Sequence, residues 1–249
     1  VTATKTKAEA FDLSSIAPIG KPRKLSAKGS YIVYGHKGVG KTSFSATCAD
    51  VEELAPVLFI ATEDGSSVLS RDYGDDPNLD VVQVEDWPTA AKLIEAVANH
   101  PTKYKTVVVD TISELQEIMK AHTSNNGTKG MEYKDWGFIA DNTINVVKML
   151  HRSPHVNVIF TTHAEKVKDE DSGKLLISPY FLGKKSLSEA LKPVDEVFYL
   201  AVAKGDESEP IRVIQTGQDG KIDASDRSGK LAFQIPNPTM GEIFAQLSK

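Results

Sequence analysis

Cysteine is almost missing from this chain: its 249 residues contain one, Cys48. A single cysteine excludes an internal disulfide, and with it the small stapled scaffolds of oxidising compartments; a reducing cytoplasm is expected. Long hydrophobic runs are missing too. No stretch approaches the roughly 18 apolar residues of a membrane span, so no membrane partner is expected. The residues behind Val1 hold no apolar block, so no secretory leader is expected. An excess of positive charge is also missing. The net charge of −5 excludes a general nucleic-acid coat, which is normally basic. The apolar fraction of 40% is nevertheless ordinary and supports a real core.

The charge is uneven. Residues 1–28 carry Lys5, Lys7, Lys21, Arg23, Lys24 and Lys28 against Glu9 and Asp12. This segment is rich in Pro, Ser and Ala and poorly periodic, so it is expected to be a basic flexible tail. It is either a solvated leader or a segment that touches DNA phosphates or a neighbouring subunit. Residues 29–249 are expected to form one domain.

What is present is an octapeptide, Gly35-His36-Lys37-Gly38-Val39-Gly40-Lys41-Thr42, with the pattern G-x-x-x-x-G-K-[ST]. The strand-like Tyr31–Tyr34 precedes it and a helical pattern over Lys41–Glu53 follows it, the context in which this pattern binds phosphates. Its glycines let successive N–H groups curl inward at phosphate oxygens. Lys41 is placed for the β- and γ-phosphates and Thr42 for Mg²⁺, with Ser43 next along the cradle. Cys48 falls in the helical segment, where it is either a core residue or a catalytic thiol.

Strand and helix signals alternate from residue 30. Strand-like runs are Tyr31–Tyr34, Val57–Ala61, Leu79–Val84, Thr106–Asp110 and Val156–Thr162. Between them, helical periodicity marks Pro88–Asn99, Ile112–His122 and Trp136–His151. This predicts an α/β fold with a mostly parallel central sheet flanked by helices. After residue 193, Val194–Val202, Ile211–Thr216 and Lys230–Ile235 read as strands of an antiparallel C-terminal extension, closed by a short helix over Met240–Leu247.

Three apolar strands end in chemistry. Asp110 closes Thr106–Asp110 and is the candidate Mg²⁺ ligand with Thr42; the alternative is a cap for the helix beginning at Thr111. Glu63 follows Leu58-Phe59-Ile60-Ala61-Thr62 and is the candidate base for the attacking water, with Asp64 in reserve. His163 follows Val158-Ile159-Phe160-Thr161-Thr162 and is read as a γ-phosphate sensor, or else as a structural histidine.

The order of phosphate loop, Glu63, Asp110 and His163 resembles the RecA-like ATPase core. The segment Lys129-Gly130-Met131-Glu132-Tyr133-Lys134-Asp135-Trp136-Gly137 resembles the first DNA-binding loop of that family, and Ala164 to Pro193 occupies the place of the second. Gly183-Lys184-Lys185-Ser186 and Pro193-Val194-Asp195-Glu196-Val197 are similar to phage-encoded RecA-like ATPases of single-strand annealing; a phage protein would work in the host cytoplasm. The resemblance implies ATP and Mg²⁺ as cofactors, single-stranded DNA as partner, and a homo-oligomeric ring or filament with its nucleotides between subunits. It further implies a cation donated by a neighbour. Ser225-Asp226-Arg227-Ser228-Gly229 resembles the Lys-x-Arg-x-Gly finger of hexameric helicases, with Ser225 in place of the lysine, and makes Arg227 the candidate. Lys221, Arg212, Lys184 and Lys185 are the others.

Single-stranded DNA is held by cations along phosphates and aromatics under bases. Lys129, Lys134 and Trp136 in the first loop, and Lys166, Lys168, Lys174, Lys184 and Lys185 in the second, are the candidate DNA contacts, with Trp136 equally readable as the buried start of its helix. A surface hairpin around Asp171-Ser172-Gly173 is the competing reading of the second loop. Alternative functions are a hexameric single-stranded-DNA motor or helicase loader, and a phosphate-loop small-molecule kinase or regulatory switch. The chain lacks an Asn-Lys-x-Asp guanine reader and an Arg-rich lid, which argues against a GTPase and a nucleotide kinase.

Overall fold

The computed structural model describes residues 28–168, 173–205 and 209–249. The expected basic tail, up to residue 27, and the acidic run Asp169-Glu170-Asp171 lie outside the described residues. One mixed sheet runs through the chain. Its strands are β1 (Ser30–Gly35), β2 (Val57–Ala61), β3 (Leu79–Gln83), β4 (Thr106–Asp110), β5 (Asn157–Lys168), β6 (Leu175–Pro179), β7 (Glu196–Lys204), β8 (Pro210–Gln215), β9 (Ser225–Asp226) and β10 (Gln234–Pro236). The main order is β10-β8-β7-β1-β5-β4-β2-β3, with β6 paired to β5 and β9 to β7.

The parallel core follows from continuously apolar strands that are covered on both faces. Side chains alternate between the faces. Ile32, Ile60, Val107, Val109 and Phe160 pack under α3 (Trp87–Asn99), α4 (Ile112–Thr123), α5 (Tyr133–Arg152) and α6 (Lys184–Leu191). Tyr31, Val33, Phe59, Val108 and Ile159 face α1 (Lys41–Ala46), α2 (Leu69–Tyr73) and α7 (Met240–Leu247). Cys48 is buried in this second layer, where burial pushes its thiol up, so it is a core residue. No helix among the described residues is long and apolar enough to cross a membrane.

Two sequence expectations need correction and one needs an addition. The helix after the phosphate loop ends at Ala46 and tightens into a 3-10 turn over Thr47–Asp50. Thr47 is the pivot: its hydroxyl donates to the Phe44 carbonyl at 2.7 Å and accepts the Met240 N–H at 2.8 Å, docking α7 there. The C-terminal extension is antiparallel as expected, but its first strand also joins the parallel core. β7 runs parallel to β1, and the antiparallel pairing begins with β8. The segment from Ala164 to Pro193 is not an open loop. β5 continues to Lys168 and pairs antiparallel with β6, and α6 follows. Lys166, Lys168 and Lys174 therefore sit on a hairpin, while Lys184 and Lys185 open α6.

At the amino-terminal end of β7, Glu196 is only 2% exposed and its Oε2 finds no hydrogen-bond partner. Burial, then the neighbouring Asp226 charge, pushes its carboxyl up to about 9. Glu196 thus keeps its proton while Asp226 keeps the charge, held below the usual carboxylate range by Ser228, Leu231 and Gly229 despite its own burial. An unfolded Glu releases that proton near pH 4.5, so the contribution of Glu196 to stability is full below that pH and is lost as the pH rises towards about 9. Each pH unit in this window costs up to about 1.4 kcal/mol. Glu196→Gln keeps the shape without the ionisation. It is expected to raise stability by up to about 3 kcal/mol at pH 7, with little effect near pH 4.5. Urea melts across this range test it, and parallel pH profiles for the two proteins would contradict it.

Candidate functional site

The carboxyl ends of β1, β5, β4 and β2 lie side by side, and each carries part of one site. Register does the placing: Gly35 pairs with His163, and Ala61 with Asp110. The phosphate loop leaves β1 at Gly35 and enters α1 at Lys41. Gly40 caps that helix at φ 97°, a left-handed conformation that favours glycine. His36, Lys37 and Gly38 are exposed along the loop, Val39 is buried under it, and Thr42 and Ser43 are half-buried on α1.

Lys41 is 7% exposed and its Nζ donates to the carbonyls of Gly35 (3.1 Å) and His36 (3.2 Å). Burial lowers its pKa, opposed by Asp110 and Glu63. The lysine is thus folded back over the loop, with the two acids near enough to act on its charge. Thr42 Oγ1 donates to Asp110 Oδ2 at 2.7 Å, and Thr161 Oγ1 donates to Asp110 Oδ1. The helix-cap alternative for Asp110 is excluded, because Thr111 caps α4 by accepting the Glu114 N–H at 3.1 Å.

A hydroxyl and a carboxylate meeting beside a phosphate loop are the hard oxygen donors that Mg²⁺ takes while keeping most of its waters. Thr42 and Asp110 therefore fit that ion, which when bound would neutralise charge on the phosphates. Glu63 lies half-buried just beyond β2, beside the β4 end that carries Asp110. His163 is held at its backbone by Ser113, whose hydroxyl accepts its N–H at 3.2 Å. Burial, then the charge of Lys41, lowers the His163 pKa, so at neutral pH the ring is an uncharged hydrogen-bonding group.

The structure brings together the loop, Thr42, Asp110, Glu63 and His163. It leaves Arg227 apart. Arg227 lies on the turn after β9, at the amino-terminal end of the sheet, with its guanidinium on the carbonyls of Lys192 (2.7 Å) and Pro193 (3.3 Å). The DNA candidates divide as well. Lys129 pairs with Asp135 at 3.1 Å, Lys134 with Glu132 at 2.9 Å, and Lys185 with Asp141 at 2.8 Å. Trp136 is 44% exposed and Tyr133 is 95% exposed at the start of α5.

Sequence reasoning missed several contributors. Thr161 was legible as a polar residue interrupting an apolar strand. Glu114 carries a carboxyl raised by burial and then by Glu63, which places a second acid near the candidate base. Gln116 accepts the Leu182 N–H at 2.8 Å and donates to Thr143 at 3.1 Å, tying α4 to the segment before α6. No local pattern announces that link.

A phosphate loop on the central strand, a carboxylate two strands away and a polar residue on the strand between define a phosphate-loop nucleotide-binding core. The chain belongs to the AAA domain family, whose model matches residues 27–228. Comparison with curated proteins finds no match. Among solved structures the chain is similar to the RadB recombinase, at 14% identity over 75% of this chain and 79% of that one, with a TM-score of 0.46. It is similar to the flagellar accessory protein FlaH from Methanocaldococcus jannaschii, at 10% identity over 84% of each chain and a TM-score of 0.46. It is also similar to an ATPase from the type III secretion system of pathogenic bacteria, at 12% identity over 70% of this chain and 51% of that one, with a TM-score of 0.43.

Proposed function

We propose that this chain hydrolyses ATP with Mg²⁺ and couples that cycle to single-stranded DNA in recombination or annealing, as a homo-oligomeric ring or filament. The observation that carries the ATPase reading is the convergence of Lys41, Thr42, Asp110, Glu63 and His163 at adjacent strand ends. Glu63 takes the proton of the attacking water, Lys41 meets the charge developing on the phosphates, and His163 hydrogen-bonds near the γ-phosphate. Arg227 sits too far round the sheet to serve its own loop, so its role is to reach a neighbour's nucleotide, exchanging its two carbonyl partners and its Asp195 ion pair (3.8 Å) for phosphate oxygens.

The DNA reading rests on a surface strip. Tyr133 and Trp136 supply exposed rings for bases, and Lys129, Lys134 and Lys185 supply cations around them. Glu132 and Asp141 are exposed, and such pairs are worth little, so phosphates can displace them from Lys134 and Lys185. A route to the nucleotide end is present. Tyr180 N–H donates to the His163 carbonyl at 2.8 Å, and two residues later Leu182 N–H donates to Gln116. A shift at His163 is thereby delivered to the segment that opens α6.

The test is DNA affinity with and without a non-hydrolysable ATP analogue at fixed salt, alongside turnover with and without DNA. The nucleotide is expected to tighten DNA binding and DNA to accelerate turnover, because binding coupling is reciprocal. Affinity without nucleotide is expected to be weak and steeply salt-dependent. Equal affinity in both states, with turnover indifferent to DNA, would shift the reading to a kinase or regulatory switch.

A further inference from the structure

The phosphate loop has a second cation against it, from a residue far away in sequence. Arg212, on β8, donates its Nε–H to the Val39 carbonyl at 3.0 Å. Its guanidinium lies against Gly40. A Cβ built on Gly40 would fall 2.4 Å from Nε, 3.0 Å from Cζ and 3.1 Å from Nη2. The glycine at this position therefore does more than permit φ 97°: its missing side chain makes room for Arg212. Among the described residues, Nε is the guanidinium nitrogen with a hydrogen-bond partner, so both Nη groups stay available on an exposed surface.

The sheet order says what lies on that side. The loop rises from β1, with β5, β4 and β2 on one flank and β7 and β8 on the other. Asp110, Glu63 and His163 all occupy the first flank, so the terminal phosphate, the metal and the attacking water belong there. A nucleotide is an extended molecule. With its reacting end fixed on the β5–β4–β2 flank, its sugar and base extend towards the β7–β8 flank, where Arg212 waits. The guanidinium suits that end: it is planar, weakly hydrated and stacks on aromatic faces while its edge donates hydrogen bonds.

We propose that Arg212 is a nucleotide-binding residue acting within its own chain, holding the nucleoside half of the nucleotide whose phosphates the loop cradles. This rests on the ATP-binding reading above and deepens it. It also removes Arg212 from the cations available to a neighbouring subunit. Fixing Nε on Val39 orients the plane before the nucleotide arrives, so little rotamer freedom is lost on binding.

The experiment compares the full chain with Arg212→Ala and Arg212→Lys, titrating each with a non-hydrolysable ATP analogue and, separately, with inorganic tripolyphosphate. Arg212→Ala is expected to weaken the ATP analogue about tenfold and tripolyphosphate less than about twofold, the difference being the stacked base. Arg212→Lys is expected to recover little, because an ammonium has no flat face. An equal loss for both ligands would overturn the proposal, since the residue would then act on phosphates or on the loop alone. A wild-type chain that binds tripolyphosphate but not the ATP analogue would overturn the nucleoside contact and the ATP reading together. Mixing Arg212→Ala with Lys41→Ala gives a second measure. Both defects fall in the same chain's site, so no mixed interface is repaired and turnover stays at the parental level. Recovery above both parents would assign Arg212 to the neighbour's site instead.

Discussion

Lys41→Ala is expected to lower ATP turnover by at least about 10²–10³-fold, the usual cost of losing one preorganised charge at a transition state. The fold is expected to survive. Lys41 is buried, but burial works against its charge, and it holds the loop only through the Gly35 and His36 carbonyls. Losing those bonds also removes a desolvated ammonium, so the net change in stability is small. The acids suffer more. Asp110 and Glu63 both act on the Lys41 charge, and without it they face each other and the phosphates with Mg²⁺ alone to balance them. The measurement is turnover with a thermal melt on the same preparation. A correctly folded variant with wild-type-like turnover would remove the basis of the ATPase reading.

Glu63→Gln is expected to bind ATP near normally and to hydrolyse it about 10²–10⁴-fold more slowly, because the amide keeps the shape and loses the proton acceptor. Glu114 sharpens the test. Burial and the Glu63 charge raise its carboxyl, so removing the Glu63 charge lowers the Glu114 pKa towards its ordinary value. If Glu114 served as the base, Glu63→Gln would keep most of its turnover and shift the acid limb of the pH–rate profile down. A full loss in Glu63→Gln with near-normal turnover in Glu114→Gln assigns the base to Glu63. A loss in Asp64→Asn instead would move the assignment by one residue.

The centre of this fold was readable because its strands are apolar on both faces. Val107-Val108-Val109 is apolar throughout and reads as a buried strand, and the carboxylate at its end had two destinations, of which the Thr111 cap left the loop. The elements that escaped are those decided by distant partners. The direction of β7 depends on its pairing with β1, more than 150 residues earlier, and the strand's own sequence suits either direction. β6 and α6 are only five and eight residues long, too short for a pattern to stand out; the pairing with β5 and the packing on α5 fix them. The site divides in the same way. The loop, Thr42, Asp110, Glu63 and His163 stand at element boundaries that the sequence marks. Arg212 reaches its place only because β8 lies two strands from β1, and no local pattern encodes that distance.

The two borders of the sheet bear on how copies of this chain can meet. β10 is three residues long and ends in Pro236, which has no N–H to offer a further strand. β3 carries Asp80, which is tied to Lys103 at 2.7 Å and to the Tyr104 hydroxyl at 2.9 Å, so charge guards that border. Neither border invites another backbone to continue the ladder. At these two borders, the proposed assembly would be built by side chains meeting across faces and loops. Its contacts can loosen and re-form with the nucleotide, where an extended sheet would lock them.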